Sequence, residues 1–215
     1  MLLYHLLPKA SLLINVHTPP IAQNHKIIIP LSLLYSTTYY LNKMNIDGQE
    51  IEFCKVDLLN ESDSMHIVPL LNEYANHEMG GAEELIPFVK ENLVNELRKL
   101  PYCHVFFAKI KDSGAPIAMG LCFQGFSSFA CKPLLNIHDL IVIGAFRGKH
   151  VGRTFLEYIC EFAKRELHCC KVTLEVVEGN QVAQKTYTAA GFGPYTLSET
   201  TGRAMFWCKS LDDGH

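Results

Sequence analysis

The chain has 215 residues, which fits one domain or one domain with an appendage and is ample for a buried core. With 48% hydrophobic and 19% charged residues, 14 Gly and 10 Pro, it falls outside the collagen-like, low-complexity and wholly disordered classes. Its 19 Lys and Arg against 22 Asp and Glu give a net charge of −3 without any cationic block, so no nucleic-acid partner is expected.

Residues 1–43 contain no acid and no Arg. Their three lysines leave 16 bases against all 22 acids in the remainder, a net of −6 from Met44 onward. Pro8, Pro19, Pro20 and Pro30 interrupt the apolar patches of this prefix well short of the roughly 18 residues that a membrane span needs. The first cation, Lys9, follows the first apolar patch, which is the wrong order for a secretory signal, and a mitochondrial presequence would carry Arg. The prefix therefore reads as an N-terminal extension, disordered or a mis-called leader, ahead of a domain at 44–215 that begins at a natural Met44; an export signal is the rival reading.

The alternating stretch Ile51–Val56 has the period of a half-buried strand. Two helices follow at about 62–78 and 82–100, the second with Leu85, Val89, Leu93 and Leu97 in one apolar stripe, and Met79-Gly80-Gly81 separates them. Residues 103–110 and 115–125 form a hairpin around Lys111-Asp112-Ser113-Gly114, and Leu134 to Ile143 is a third strong strand. A helix carrying Phe155, Ile159 and Phe162, a strand at 171–177, a helix at 181–190 stopped by Gly191 and a closing strand at Ala204–Cys208 complete the chain. The order β-α-α-β-β-β-α-β-α-β describes an α/β (α+β) fold with a mixed central sheet flanked by helices. Eight cysteines form no CxxC pair, so neither a zinc centre nor a dithiol redox site is expected; they read as small core hydrophobes in a reducing cytoplasm.

The chemistry concentrates in two segments. In the first, the strand ending Asp139-Leu140-Ile141-Val142 runs into the basic turn Arg147-Gly148-Lys149-His150-Val151-Gly152-Arg153, which opens a helix. Free main-chain N–H groups and the positive end of a helix dipole make such a turn an anion site suited to phosphate. Neither a Walker loop nor GxGxxG is present. In the second, the strand at Val172–Val176 leads to Asn180-Gln181-Val182-Ala183-Gln184-Lys185-Thr186-Tyr187, with Gly191-Phe192 at the end.

Together these segments resemble the two signatures of the GNAT superfamily of acetyl-CoA-dependent N-acetyltransferases: [R/Q]xxGx[G/A] at a helix start, then NxxAxxxYxxxGF after the next strand. The resemblance is strong over 134–194 and, by element order, extends over 48–209. It implies the GNAT fold, with acetyl-CoA as co-substrate and no metal. The main chain of Gly148–Arg153 would hold the coenzyme pyrophosphate beside Arg147, and Leu140, Ile141 and Val142 would bond the pantetheine arm. Asn180 would bond near that arm, Ala183 would be small where helix meets coenzyme, and Tyr187 would protonate the departing thiolate. His150 stands where the family has its first glycine, a departure that puts the local backbone in question.

An amine acceptor is protonated at neutral pH and needs a base. Asp139 is the first choice, His138 the second and Glu175 the third; neighbouring strand residues point to opposite faces, so at most one of His138 and Asp139 is expected to face the acceptor. Each of them can equally be a polar residue satisfied at a strand end. Residues 61–100 carry eight acids against three bases, either an attraction for a cationic amine or a solvated helix face. Phe123, Phe126 and Phe129 either wall the acceptor site or pack the hairpin. With no clear Cys/His pair, direct attack in a ternary complex is expected rather than an acyl-enzyme. The acceptor class stays open between a small amine or polyamine and a protein amine, and the resemblance allows a homodimer. The alternative from another class is a non-catalytic acyl-CoA-binding module.

Overall fold

The computed structural model describes residues 42–198, 200 and 202–211. All but the last two residues of the expected extension lie outside the described residues. Lys43–Ile46 (β1) and Gln49–Lys55 (β2) form a hairpin through Asp47 and Gly48 at φ 50° and 85°. An Asp-Gly pair that is left-handed at both positions is a favoured two-residue turn, a signal for β1 that the alternating pattern at 51–56 does not carry.

The first helical region is broken where one continuous helix is expected. Glu61–Ser64 (α1) starts at Asn60, whose side chain accepts from Ser62 N–H at 3.0 Å, and Ile67–Ala75 (α2) follows, with a 3₁₀ turn at Glu78–Gly80. The next helix, Pro87–Arg98 (α3), begins five residues later than its apolar stripe suggests. Pro87 is pre-set for a first helical position, and Leu85 lies outside the helix with its N–H bonded to Asn72 Oδ1 at 2.9 Å.

Cys103–Ile110 (β3), Pro116–Ser127 (β4) and Lys132–Val142 (β5) continue an antiparallel sheet in the order β1-β2-β3-β4-β5. Val151–Arg165 (α4) then crosses to Val172–Leu174 (β6), which pairs parallel to β5 and completes a six-stranded sheet. Gln181–Ala189 (α5) ends before Gly191 at φ 88°, the left-handed stop expected there.

Both sheet faces are covered. On one, Phe155, Leu156, Ile159 and Ala163 of α4 pack on Ile51, Phe53, Phe106, Ala108, Ala118, Cys122, Leu135 and Ile137. A Cβ at Gly120 would lie 2.8 Å from Ile159 Cδ1, so glycine is what lets α4 sit this close to β4. On the other, Ile67, Leu70 and Leu97 of α2 and α3 pack on Val105, Phe107, Met119, Leu121 and Ile141. Phe155 is fully buried, so truncating it to Ala would cost about 3–5 kcal/mol.

Three further expectations change. The strand at 171–177 shortens to the three residues Val172–Leu174. Ala204–Cys208 is not a strand: Thr196–Ser198 (β7) and Gly202–Arg203 (β8) pair only with each other, and Met205, Phe206 and Trp207 stay exposed. Apolar composition favours a strand only where a pleated surface receives it, and this segment has none. Of the cysteines, Cys103 and Cys122 are buried and Cys54, Cys160 and Cys169 half-buried, but Cys131, Cys170 and Cys208 are exposed and so are not core.

Candidate active site

The register between β4 and β5 slips at one point. Leu121 faces Asp139 and Cys122 faces Ile137, which leaves His138 as an extra residue on β5. Such a bulge inverts the alternation beyond it. Before it, Leu135 and Ile137 point to the α4 side; after it, Leu140 and Val142 point there and Ile141 turns to the α2 side. His138 and Asp139 therefore share the α2 face. The His138 ring meets Phe123 edge-on with centroids 5.6 Å apart, and Asp139 lies within electrostatic range of both His138 and Tyr74 of α2. The expectation that at most one of the pair faces this side is corrected: strict alternation fails at a bulge.

The same bulge explains the short β6. Parallel pairing covers Leu135–Ile137 against Val172–Leu174 and stops where the bulge begins. Past it, residues 139–142 pair with β4 on one side, and β6 no longer covers the other. From Asp139 onward β5 therefore keeps a main-chain edge that β6 does not pair.

After this strand, His150 caps α4 at φ 64°, ψ 5° without a side-chain capping bond, and Gly148 lies at φ 76°. The left-handed conformation usual for glycine thus persists with a histidine in place. The first helical bond runs from Thr154 N–H to His150 O at 3.1 Å, so the N–H groups of Val151, Gly152 and Arg153 precede the ladder and point out of the helix end. The cations around them are engaged: Arg147 Nε donates to Val142 O at 2.8 Å, Lys149 pairs with Asp47 at 2.7 Å and Arg153 with Glu157 at 2.9 Å. These are exposed contacts worth no more than about 1 kcal/mol each, so the fixed feature is the main chain.

At the start of α5, Asn180 Oδ1 accepts from Ala183 N–H at 3.1 Å and caps the helix. One turn on, Tyr187 is half-buried, 6.3 Å from the Phe192 ring centroid, and packs with the α4-side core while lying within electrostatic range of Tyr74 on the opposite side. It sits where the two faces meet. Burial pushes its phenol up to about 12, with Tyr74 a smaller influence. Burial likewise raises the Asp139 carboxyl, opposed by His138. Glu175, the third candidate, is exposed and takes Asn136 Nδ2 at 3.0 and 3.2 Å on its two oxygens.

Sequence reasoning misses Tyr74, whose hydroxyl donates to Met79 O at 3.2 Å, and counts Glu73 only among the acids of 61–100, where its Oε1 accepts from Gly144 N–H at 3.3 Å. Both sit on α2, and the signal available was only that one phenol and one acid interrupt an apolar helix. Of the acceptor-side acids, Asp63 pairs with Lys109, Glu84 with Lys90 and Glu96 with Lys99, so part of the local charge is neutralised. Phe123 joins the site through His138, whereas Phe126 and Phe129 are exposed. Two cavities, of about 390 and 460 Å³, lie along β2–β3 and on the outer face of α5 and include none of the candidate residues.

The family model described as the Acetyltransferase (GNAT) family matches residues 70–192. The chain belongs to the GNAT acetyltransferases. Solved structures share this fold at low sequence identity. A probable acetyltransferase has 20% identity and a TM-score of 0.62, covering 75% of this chain and 99% of its own. An aminoglycoside acetyltransferase from an uncultured soil metagenomic sample has 15% identity and a TM-score of 0.60, covering 78% and 100%. Glucosamine-6-phosphate N-acetyltransferase from Arabidopsis thaliana has 18% identity and a TM-score of 0.52, covering 75% and 99%. A search of curated proteins returns no significant match. Among the described residues no helix is long and apolar enough to cross a membrane, and no group of three His, Cys, Asp or Glu is placed to hold a metal ion.

Proposed function

We propose that this GNAT acetyltransferase moves the acetyl group of acetyl-CoA to a primary amine by direct attack in a ternary complex. The observation that carries the reading is the bulge at His138, which both opens the β5 edge and turns two proton-accepting side chains to one face beside it. Its donor set suits the coenzyme: the free N–H groups at the start of α4 match a pyrophosphate, and the uncovered edge of Leu140–Val142 matches the amides of a pantetheine arm. An added Cβ at Gly152 would only touch Thr186 and Val142 at 3.5 and 3.7 Å, so the protein itself does not demand glycine there; a ligand lying close to the helix end would.

Acetyl-CoA supplies the thioester. Asp139 takes a proton from the acceptor ammonium, a task that its raised pKa suits, and His138 sits beside it as the second acceptor. Tyr187 remains protonated across the neutral range. At about 12 its phenol is a weaker acid than an ordinary alkyl thiol near 8.5, so it stabilises the departing sulfur by donating a hydrogen bond rather than by giving up its proton outright. Asn180 positions α5 through its cap, and Ala183 keeps the first turn of that helix slim. Glu175, tied to Asn136, is the reserve base.

The structural neighbours include an aminoglycoside, an amino-sugar and a ribosomal-protein acetyltransferase, so a small polar amine and a protein amine are both carried as acceptor classes. Thiol release from acetyl-CoA, measured across a polyamine, an aminoglycoside, an amino sugar and a peptide amine, tests the assignment. Release stimulated by one acceptor is expected. Coenzyme binding without release by any of them would instead favour a non-catalytic acyl-CoA-binding module.

A further inference from the structure

Helices α2 and α3 leave part of their face of the sheet uncovered. Phe123 of β4 faces Asn136 of β5, and Asn136 faces Thr173 of β6, so the three form one row across the strands. Phe123 packs with the α2-side core, while Leu135, Ile137, Val172 and Leu174 belong to the α4 side, which turns Asn136, Thr173 and Glu175 to the side of Phe123. Tyr102 extends the row at one end, its ring centroid 6.3 Å from that of Phe123. The next positions along β5 and past β6 are His138, whose ring is 5.6 Å from Phe123, and Glu175, one residue beyond the last pair, Ile137 with Leu174. Tyr102, His138 and Glu175 are exposed and Phe123, Asn136 and Thr173 half-buried, so the row is open to solvent and runs up to Asp139.

The polar end of this row is rich in acceptors. Asn136 Nδ2 donates to Thr173 Oγ1 at 3.2 Å and to the two oxygens of Glu175 at 3.0 and 3.2 Å, which spends both amide hydrogens and fixes the orientation of the amide. Asn136 Oδ1 and the outer lone pairs of Glu175 remain as acceptors, and among the described residues no Lys or Arg pairs with Glu175. The aromatic end offers the negative ring faces of Tyr102 and Phe123. Carboxylate, carbonyl and ring faces all complement a cation. We propose that this row is a subsite for a second ammonium group of the acceptor: one nitrogen lies at Asp139 and another between Glu175 and the Phe123 ring, so that the enzyme selects small amines carrying at least two positive charges. Neighbouring strands lie about 4.8 Å apart, so a spacer of a few carbons joins the two positions. The inference rests on the reading of Asp139 as the base, and it gives Glu175 an ammonium to bind in place of a proton to take.

Steady-state kinetics of the full chain with diaminobutane and with butylamine tests the subsite. Wild type is expected to favour the diamine about tenfold or more in kcat/KM, and Glu175→Gln, which keeps the shape and removes the charge, should bring the two amines within about threefold of each other. Phe123→Leu and Tyr102→Leu should each lower the preference about two- to fivefold. If Glu175 serves as a base instead, Glu175→Gln slows both amines in proportion and leaves the preference unmoved, which overturns the inference. Diaminobutane binding followed by NMR of the Tyr102 and Phe123 rings needs no turnover: ring shifts are expected in wild type and their loss in Glu175→Gln, and a wild type without them overturns the subsite. Should neither amine be acetylated while Glu175-dependent binding persists, the reading of Asp139 as the base falls and the cation subsite stands.

Discussion

The two halves of the candidate site are made of different material. On the proposed coenzyme side the groups are main-chain: the edge of Leu140–Val142 and the N–H groups of Val151–Arg153. On the proposed acceptor side they are side chains drawn from separate elements: His138 and Asp139 from β5 and Tyr187 from α5. A backbone site survives replacement of side chains so long as the path of the chain is kept, which is why His150 can occupy a position the family gives to glycine. A side-chain site has no such tolerance. Each residue there is specific, and burial raises the pKa of both Asp139 and Tyr187.

The largest effects should follow from the side-chain half. Asp139→Asn is expected to lower turnover about 100-fold or more, and Tyr187→Phe by about tenfold, with the acetyl-CoA dissociation constant within about twofold of wild type in both. Because burial raises the Asp139 carboxyl, the acid limb of the kcat profile should lie above the ordinary Asp value, and Asp139→Asn should abolish it. Steady-state kinetics alongside calorimetric coenzyme titration checks all of this, and a parallel loss of coenzyme binding would erase the distinction between the halves. The reciprocal test is Gly152→Ala. The protein has room for the methyl group, so the melting temperature should hold while acetyl-CoA binding weakens about tenfold, through crowding of the ligand alone.

The same division explains what the sequence made legible. Main-chain sites are built from contiguous residues, so a strand, a basic turn and a helix start, read together with Asn180 and Tyr187, make the fold legible and carry the proposal for the coenzyme half. The acceptor half depends on register. Nothing in Asn136-Ile137-His138-Asp139 announces a bulge, because the extra residue exists only relative to β4, and the expectation that His138 and Asp139 oppose each other follows from alternation that the pairing interrupts. The length of β6 is lost for the same reason, since its partner turns away after Ile137. Tyr74 is illegible because its hydroxyl's partner, Met79 O, is set by how the chain turns after α2. The segment Ala204–Cys208 carries strand composition without a partner edge.

Stability at acid pH extends the comparison to a side chain outside both halves. His104 is buried in β3, its Nε2 is 3.3 Å from Gln124 Oε1 and its Nδ1 has no partner. Burial holds its pKa below the ordinary 6.5, opposed by the Gln124 bond and aided slightly by Lys55. The unfolded chain therefore binds the proton first. Stability from this group is complete above about pH 6.5 and is lost as pH falls through that value toward the folded pKa. Urea unfolding at pH 7.5 and 5.5 should show a drop that His104→Phe reduces, while main-chain coenzyme donors do not titrate in that window. An equal drop in the variant would assign the acid sensitivity to other groups.

The smallest expected effect bears most directly on the backbone half. His150 pays for its φ of 64°, since a side chain in the left-handed region costs about 1–2 kcal/mol, less for residues that tolerate it. Glycine at 150 would remove that strain but restore freedom to the unfolded chain worth about 0.5–1 kcal/mol. The net for His150→Gly is a stabilisation of up to about 1 kcal/mol, a shift of a few degrees in Tm for a domain of this size. Acetyl-CoA affinity should stay within about twofold, because the N–H groups of Val151, Gly152 and Arg153 already point out of the helix end with histidine present. A large gain in affinity would mean that the imidazole obstructs the anion site, and the coenzyme half would then depend on a side chain after all.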